Sequence, residues 1–160
     1  MRPLGELLVR DIMTANPICV AESSLLLEAI REFDDNKISA LPVVDSQKRL
    51  AGILSLFDLV EVIREIQGDV SALSKVGDAT RAFLIRLLTD HGDSTLVTDV
   101  MTRPVESVRP ETNIVLAARL MVDSGFRHLP VVDADRRPVG IVTTTDFVKA
   151  FAEQGALLAG

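Results

Sequence analysis

Two short stretches place a hydroxyl and a carboxylate at the same spacing: Gly52-x-x-Ser55-x-x-Asp58 and Gly140-x-x-Thr143-x-x-Asp146. An ionised Asp accepts hydrogen bonds without donating any, which suits a ribose diol. A Ser or Thr hydroxyl and a helix N-terminus can face the sugar or a phosphate. The same spacing also makes a helix capping box, in which the hydroxyl caps the helix and the acid reaches back to the chain. The two roles are compatible, because a cap can also point at a ligand. A second cluster, Phe126-Arg127-His128-Leu129-Pro130, lies just ahead of an apolar run. Arg127 can donate bidentately to a phosphate, and His128 can donate whether neutral or charged. The plainer reading is a solvated Arg beside a partly buried structural His. The equivalent stretch of the first half, Ile38-Ser39-Ala40-Leu41-Pro42, has no cation, so phosphate binding is expected to be asymmetric.

Nothing in the chain supports catalysis. Phosphate-loop, dinucleotide-fold, zinc-protease and nucleophile-elbow motifs are all missing from the sequence, and its only histidines are His91 and His128. The single Cys19 rules out an internal disulfide and a cysteine-rich metal site, and it is expected to be a small buried apolar residue. Catalytic and metal residues are therefore expected to be none. A formal charge of −6, from 17 basic and 23 acidic residues, disfavours a polyanionic partner such as nucleic acid. With no Trp or Tyr and only 6 Phe, a bound base would rest on aliphatic groups. Apolar residues make up 48%, yet no run approaches the roughly 18 needed to insert into a membrane. The first 13 residues carry Glu6, Arg10 and Asp11 and lack the form of a signal peptide, so a cytoplasmic location is expected.

The elements that must hold these residues come from a duplication. Val9-Arg10-Asp11-Ile12-Met13-Thr14 returns 88 residues later as Val97-Thr98-Asp99-Val100-Met101-Thr102, and Leu41-Pro42-Val43-Val44-Asp45 returns as Leu129-Pro130-Val131-Val132-Asp133. Without a gap, 18 of 52 aligned positions are identical, far above chance. Each copy then shows an amphipathic helix, with Leu26, Ala29, Ile30 and Phe33 matching Ile114, Ala117, Ala118 and Met121. Ser24 and Thr112 are the expected N-caps, and Gly125 the expected stop of the second copy's helix. A strand over 41–44 or 129–132 is followed by a polar turn and a second strand over 51–55 or 139–143, spaced to pair as a hairpin. A further helix starts near Leu56 or Thr144, with Leu56, Leu59, Val60 and Ile63 on one face of the first. Units this small should pack together to bury their apolar surface. Between them, Thr80 is a candidate cap for an additional helix carrying Phe83, Leu84, Leu87 and Leu88, either as a cover or as a subunit contact. At the end of the chain, Gly155 reads as a helix stop with Leu157 and Leu158 beyond it.

The two D-[IV]-M-T openings, two L-P-V-V-D strands and two G-[IV]-[LV]-[ST]-x-x-D junctions, in that order, resemble a tandem pair of CBS (cystathionine β-synthase) domains, a Bateman module. The resemblance implies an α+β fold of two β-α-β-β-α units packed through their sheets with pseudo-twofold symmetry. It places domain 1 at 8–66, an inter-repeat linker with the extra helix at 67–95, and domain 2 at 96–155. It also implies clefts for an adenosine-containing ligand: AMP, ADP, ATP or S-adenosylmethionine. Carried over residue by residue, Ser55 with Asp58 and Thr143 with Asp146 would contact ribose or phosphate. Backbone after each opening, Asn16 to Ile18 (including Pro17) and Pro104 to Glu106 (including Val105), would meet the base, and Arg127 and His128 would hold phosphates. No cofactor is required. The expected function is a stand-alone regulatory sensor, a homodimer acting on a separate target protein, with Asp146 mattering more than Asp58. The alternative is an interaction module without ligand, its junctions acting only as caps.

Overall fold

In the computed structural model, residues 3–67, 86 and 94–158 are described. Apart from Arg86, the expected helix over 80–88 lies outside these residues, as does most of the 67–95 linker. The described chain is a mixed α+β structure with two small sheets.

The first copy runs through α1 (Val9–Ile12), β1 (Thr14–Ala15), β2 (Val20–Ala21), α2 (Leu26–Asn36), β3 (Ala40–Val44), β4 (Leu50–Ser55) and α3 (Leu56–Gln67). The second gives α4 (Val97–Val100), α5 (Ile114–Ser124), β5 (His128–Val132), β6 (Pro138–Thr143) and α6 (Thr144–Leu158). Both hairpins are antiparallel and in the same register, with Gly52 opposite Val43 and Gly140 opposite Val131. Every residue of β3 is buried, as its β-branched, uncharged sequence requires. Helix α2 buries Leu26, Ala29, Ile30 and Phe33, the expected stripe. Helix α5 buries Ile114, Ala117 and Met121 but only half-buries Ala118. Each large side chain fully removed from water in this way contributes about 1.5–3 kcal/mol.

Helix ends correct three sequence expectations. The cap of α5 is Asn113, not Thr112: its Oδ1 accepts from the Val115 backbone N–H at 2.8 Å, while the Thr112 hydroxyl accepts from the N–H of Arg109. The cap position of α2 is Leu25, not Ser24, and Glu28 Oε2 accepts from the Leu25 N–H at 3.2 Å. An acid three residues into the helix thus satisfies a donor at a cap position whose own side chain has no acceptor. Gly125 does end α5 in a left-handed conformation, φ 73°, and Lys37 plays that part after α2 at φ 53°. Gly155 does not stop α6, which continues to Leu158. A glycine inside a helix costs only about 1 kcal/mol relative to alanine, and the Ala156, Leu157 and Leu158 that follow are strong helix formers.

The compact units of the fold are offset from the repeats of the sequence. One joins residues up to Pro17 to those from Glu106 onward, and the other runs from Ile18 to Val105. Each opening has crossed to the other copy. In the first unit β1 pairs antiparallel with β6, giving the sheet order β1-β6-β5, and Leu8 bridges Asn113. In the second, sheet order β2-β3-β4 is extended by a lone antiparallel bridge from Thr102 to Ile53, and Leu25 bridges Leu96. Val9 and Val97, one per opening, are each fully buried, in the cores of the units to which they have crossed.

The junction glycines explain how closely the openings sit. A Cβ on Gly52 would lie 2.7 Å from the sulfur of Met101 and 2.9 Å from the Thr102 carbonyl oxygen. A Cβ on Gly140 would collide with the Met13 sulfur and sit 3.2 Å from the Thr14 carbonyl. The Met-Thr of each opening thus requires the junction glycine of the opposite copy.

Candidate functional site

Each junction is a strand that ends in a hydroxyl residue and turns directly into a helix. In the Ile18–Val105 unit, Ser55 ends β4 and stands at the cap position of α3, with Asp58 three residues in. Asp58 Oδ2 accepts from the Ser55 backbone N–H at 2.6 Å and from its hydroxyl at 2.8 Å, while the Asp58 N–H donates back to Ser55 Oγ at 3.3 Å. The capping box expected from the spacing is therefore present. The other carboxylate oxygen, Oδ1, accepts from the Thr102 hydroxyl at 2.8 Å, a residue 44 positions away. Pro104 and Val105 follow Thr102 directly, across a cis Arg103–Pro104 peptide; Pro104 is exposed and Val105 half-buried.

In the other unit, Thr143 ends β6 and Asp146 lies in the first turn of α6. Asp146 Oδ2 accepts from the Thr143 N–H at 2.7 Å and from the Thr143 hydroxyl at 3.0 Å. Among the described residues no donor reaches Asp146 Oδ1. Thr14, which aligns with Thr102, is exposed in β1 and makes no corresponding bond.

The Arg127-His128 pair lies at this second junction. His128 opens β5 directly opposite Thr143, and the Arg127 carbonyl accepts from the Thr144 N–H at 3.1 Å, tying the pair to the first turn of α6. Arg127 is exposed and His128 half-buried. In the first copy Ser39 makes the same backbone bond, to Leu56 N–H, without a cation. Pro17 is half-buried and follows β1, the strand beside β6; Ile18, 37% exposed, begins the other unit. Helix α6 thus presents an N-terminal turn with one carboxylate oxygen open, one hydroxyl, and an adjacent Arg-His pair, a set that suits hydrogen bonding to a polyhydroxyl, phosphate-bearing molecule.

Cys19 is half-buried rather than buried, and burial pushes its thiol upward against the opposing pull of Lys48, away from a reactive thiolate. Among the described residues no three His, Cys, Asp or Glu side chains gather as metal ligands, and no helix is long and apolar enough to cross a membrane. The spacing of the junctions did not show that Thr102 bonds Asp58. The only available signal was that Met-Thr recurs in both openings with no local role to account for it.

The profile of the CBS domain family matches residues 9–65 and 97–153. The chain belongs to that family, as a tandem pair. It is 36% identical over 156 residues to MJ1426 of Methanocaldococcus jannaschii, covering 91% of this chain and 92% of that protein. It is 33% identical over 152 residues to the chloroplastic protein CBSX2 of Arabidopsis thaliana, of whose length the match spans 64%. The crystal structure of CBSX2 in complex with AMP superposes with a TM-score of 0.68 at 31% identity, over 91% of this chain and 96% of that one. The CBS domain pair of protein MJ0100, in complex with 5′-methylthioadenosine and S-adenosyl-L-methionine, gives 0.70 at 25% identity, over 91% and 99%.

Proposed function

We propose that this chain is a regulatory module that binds an adenosine-containing ligand, of the AMP, ADP, ATP or S-adenosylmethionine class, at the start of α6. The observation that carries the reading is the Asp146 carboxylate: its cap occupies Oδ2 and leaves Oδ1 open, beside Thr143 and the Arg127-His128 pair. A ribose diol would donate to Asp146, a phosphate would meet Arg127, His128 and the N-terminal turn of α6, and the backbone at Pro17 would meet the base. Ser55 and Asp58, with Pro104 and Val105, form the equivalent candidate at the first junction, where Ser39 and Ala40 replace the Arg127-His128 pair. The ligands of CBSX2 and of the MJ0100 pair support the adenosyl class.

The module works without chemistry and needs no cofactor. It acts in the cytoplasm as a homodimer on a separate target protein, and it signals to the extent that the ligand binds two arrangements unequally. The test is thermal unfolding with AMP, ADP, ATP, S-adenosylmethionine and a GTP control. A ligand that binds only the folded chain stabilises it by RT ln(1 + [L]/Kd), about 2.7 kcal/mol at a hundredfold excess over Kd. The expected result is a dose-dependent rise in Tm for an adenosyl ligand that is lost in Asp146→Ala. No shift across the panel, in protein free of copurified nucleotide, would favour an interaction module whose junctions serve only as helix caps.

A further inference from the structure

The two junctions differ at one oxygen. At Asp146 the cap takes both of its hydrogen bonds on Oδ2, and among the described residues Oδ1 receives none. At Asp58 the cap takes the same two bonds on Oδ2, and the Thr102 hydroxyl takes Oδ1 at 2.8 Å. A carboxylate oxygen offers about two acceptor sites. Asp146 therefore keeps a whole oxygen for a vicinal diol, which has two hydroxyls to place. Asp58 keeps one site on an oxygen that already holds a donor from its own chain.

The Thr102 hydroxyl is held there by more than the bond itself. Thr102 exchanges two backbone hydrogen bonds with Ile53, at 2.9 and 3.2 Å, and is half-buried with Met101 seated over Gly52. Thr14 pairs in the same register with Ile141, yet its side chain is exposed and leaves Asp146 alone.

We propose that Thr102 is an internal occupant of the first-repeat carboxylate, a stand-in for a ligand hydroxyl, so that the chain takes one adenosyl ligand, at Asp146, and reserves Asp58 as a clasp for the second opening. This rests on the adenosyl reading above and sets its stoichiometry. Among the described residues, none donates to the Asp146 oxygen that a ligand at the start of α6 would use. A diol at Asp58 must displace the Thr102 hydroxyl and with it part of the contact that holds the Met101-Thr102 opening on β4.

The experiment is calorimetric titration of the full chain with AMP and with adenosine, the second because the first copy has Ser39 and Ala40 where the second has Arg127 and His128. Wild-type protein should bind one equivalent, and Asp146→Ala should weaken it at least about tenfold, as loss of hydrogen bonds to a charged group implies. Thr102→Val, which keeps the shape and removes the donor, should open a second equivalent for adenosine, while Thr102→Ser should stay at one. 2′,3′-Dideoxyadenosine, lacking the diol, should gain nothing from Thr102→Val. Two equivalents in the wild type, full binding persisting in Asp146→Ala, or one equivalent in folded Thr102→Val would each overturn the clasp. The first two hold even where Thr102→Val does not fold. Absence of any adenosyl binding in both wild type and Thr102→Val would instead overturn the adenosyl reading on which the clasp depends.

Discussion

Replacing Gly52 by alanine tests the crossing of the openings, because it adds one methyl group where the second opening lies on the first copy's strand. The new Cβ would stand 2.7 Å from the Met101 sulfur and 2.9 Å from the Thr102 carbonyl oxygen. The Met side chain can swing away, but the carbonyl belongs to the backbone, so the opening must lift from β4. Overpacking of this kind costs about 1–3 kcal/mol. Lifting also weakens the two Ile53–Thr102 backbone hydrogen bonds, each worth about 0.5–1.5 kcal/mol net. Against this, alanine restricts the unfolded chain and returns about 0.4–1 kcal/mol. The balance is a loss of about 2–4 kcal/mol, or roughly 5–15 °C in Tm for a chain of this size. Thermal unfolding followed by circular dichroism reads the size of the effect. Amide hydrogen exchange reads its place: Ile53 and Thr102 should lose protection while Ile141, in the other unit, keeps it. Gly5→Ala, with nothing within 4 Å of its added carbon, is the matched control and should stay within about 0.5 kcal/mol of wild type. A Gly52→Ala protein as stable as that control, with Ile53 still protected, would refute the close seating of Met101-Thr102 on β4.

Further outcomes follow from the caps and the turns. Asn113→Ala removes the cap of α5 and the 2.7 Å bond from Asn113 Nδ2 to the Gly5 carbonyl, so stability should fall by about 1–2 kcal/mol in a urea titration. Asn113→Asp keeps the cap and should recover at least half of that loss. In the β3–β4 turn, the Arg49 backbone N–H above all, aided by the Gln47 N–H and the Arg49 side chain, holds the Asp45 carboxyl below its usual range against an opposing desolvation. A depressed carboxylate contributes stability that is full above the unfolded value, about 3.9, and is lost as pH falls through the folded one. The stability difference between wild type and Asp45→Asn should therefore be constant from about pH 5 to 7 and shrink below about pH 4, as measured by urea midpoints.

Much of this protein is legible in one dimension because its local signals agree with each other. The 88-residue offset showed the duplication, the i, i+3, i+4, i+7 stripe of Leu26, Ala29, Ile30 and Phe33 showed which face of α2 is buried, and the valine runs showed β3 and β5. These are short-range facts: helical period, strand propensity and turn chemistry act within a few residues, and here the tertiary fold follows them. The capping box of Ser55 and Asp58 was legible for the same reason, since its partners are three residues apart. The cap position of α5 was misplaced by one residue because Thr112 and Asn113 offer similar side-chain oxygens, and that of α2 because Leu25 has no side-chain acceptor to mark it and its N–H is met from Glu28 instead. At α5 only the path of the chain into the helix decides which oxygen meets the free N–H groups.

What the sequence alone determined, then, is the pair of repeated units, their buried faces, the hydroxyl–carboxylate junctions and the Arg127-His128 pair that the first copy lacks. What only the tertiary structure decided is which opening serves which junction, and therefore what remains open at each carboxylate. Thr102 reaches Asp58 across 44 residues, and Thr14 comes to the strand leading to Asp146 from the far end of the chain. A repeat is the same letter for letter whether its opening packs at home or crosses over. The crossing is set by where Val9 and Val97 find a core to bury in and where Gly52 and Gly140 leave room for a methionine, and those are properties of surfaces that exist only once the chain has folded.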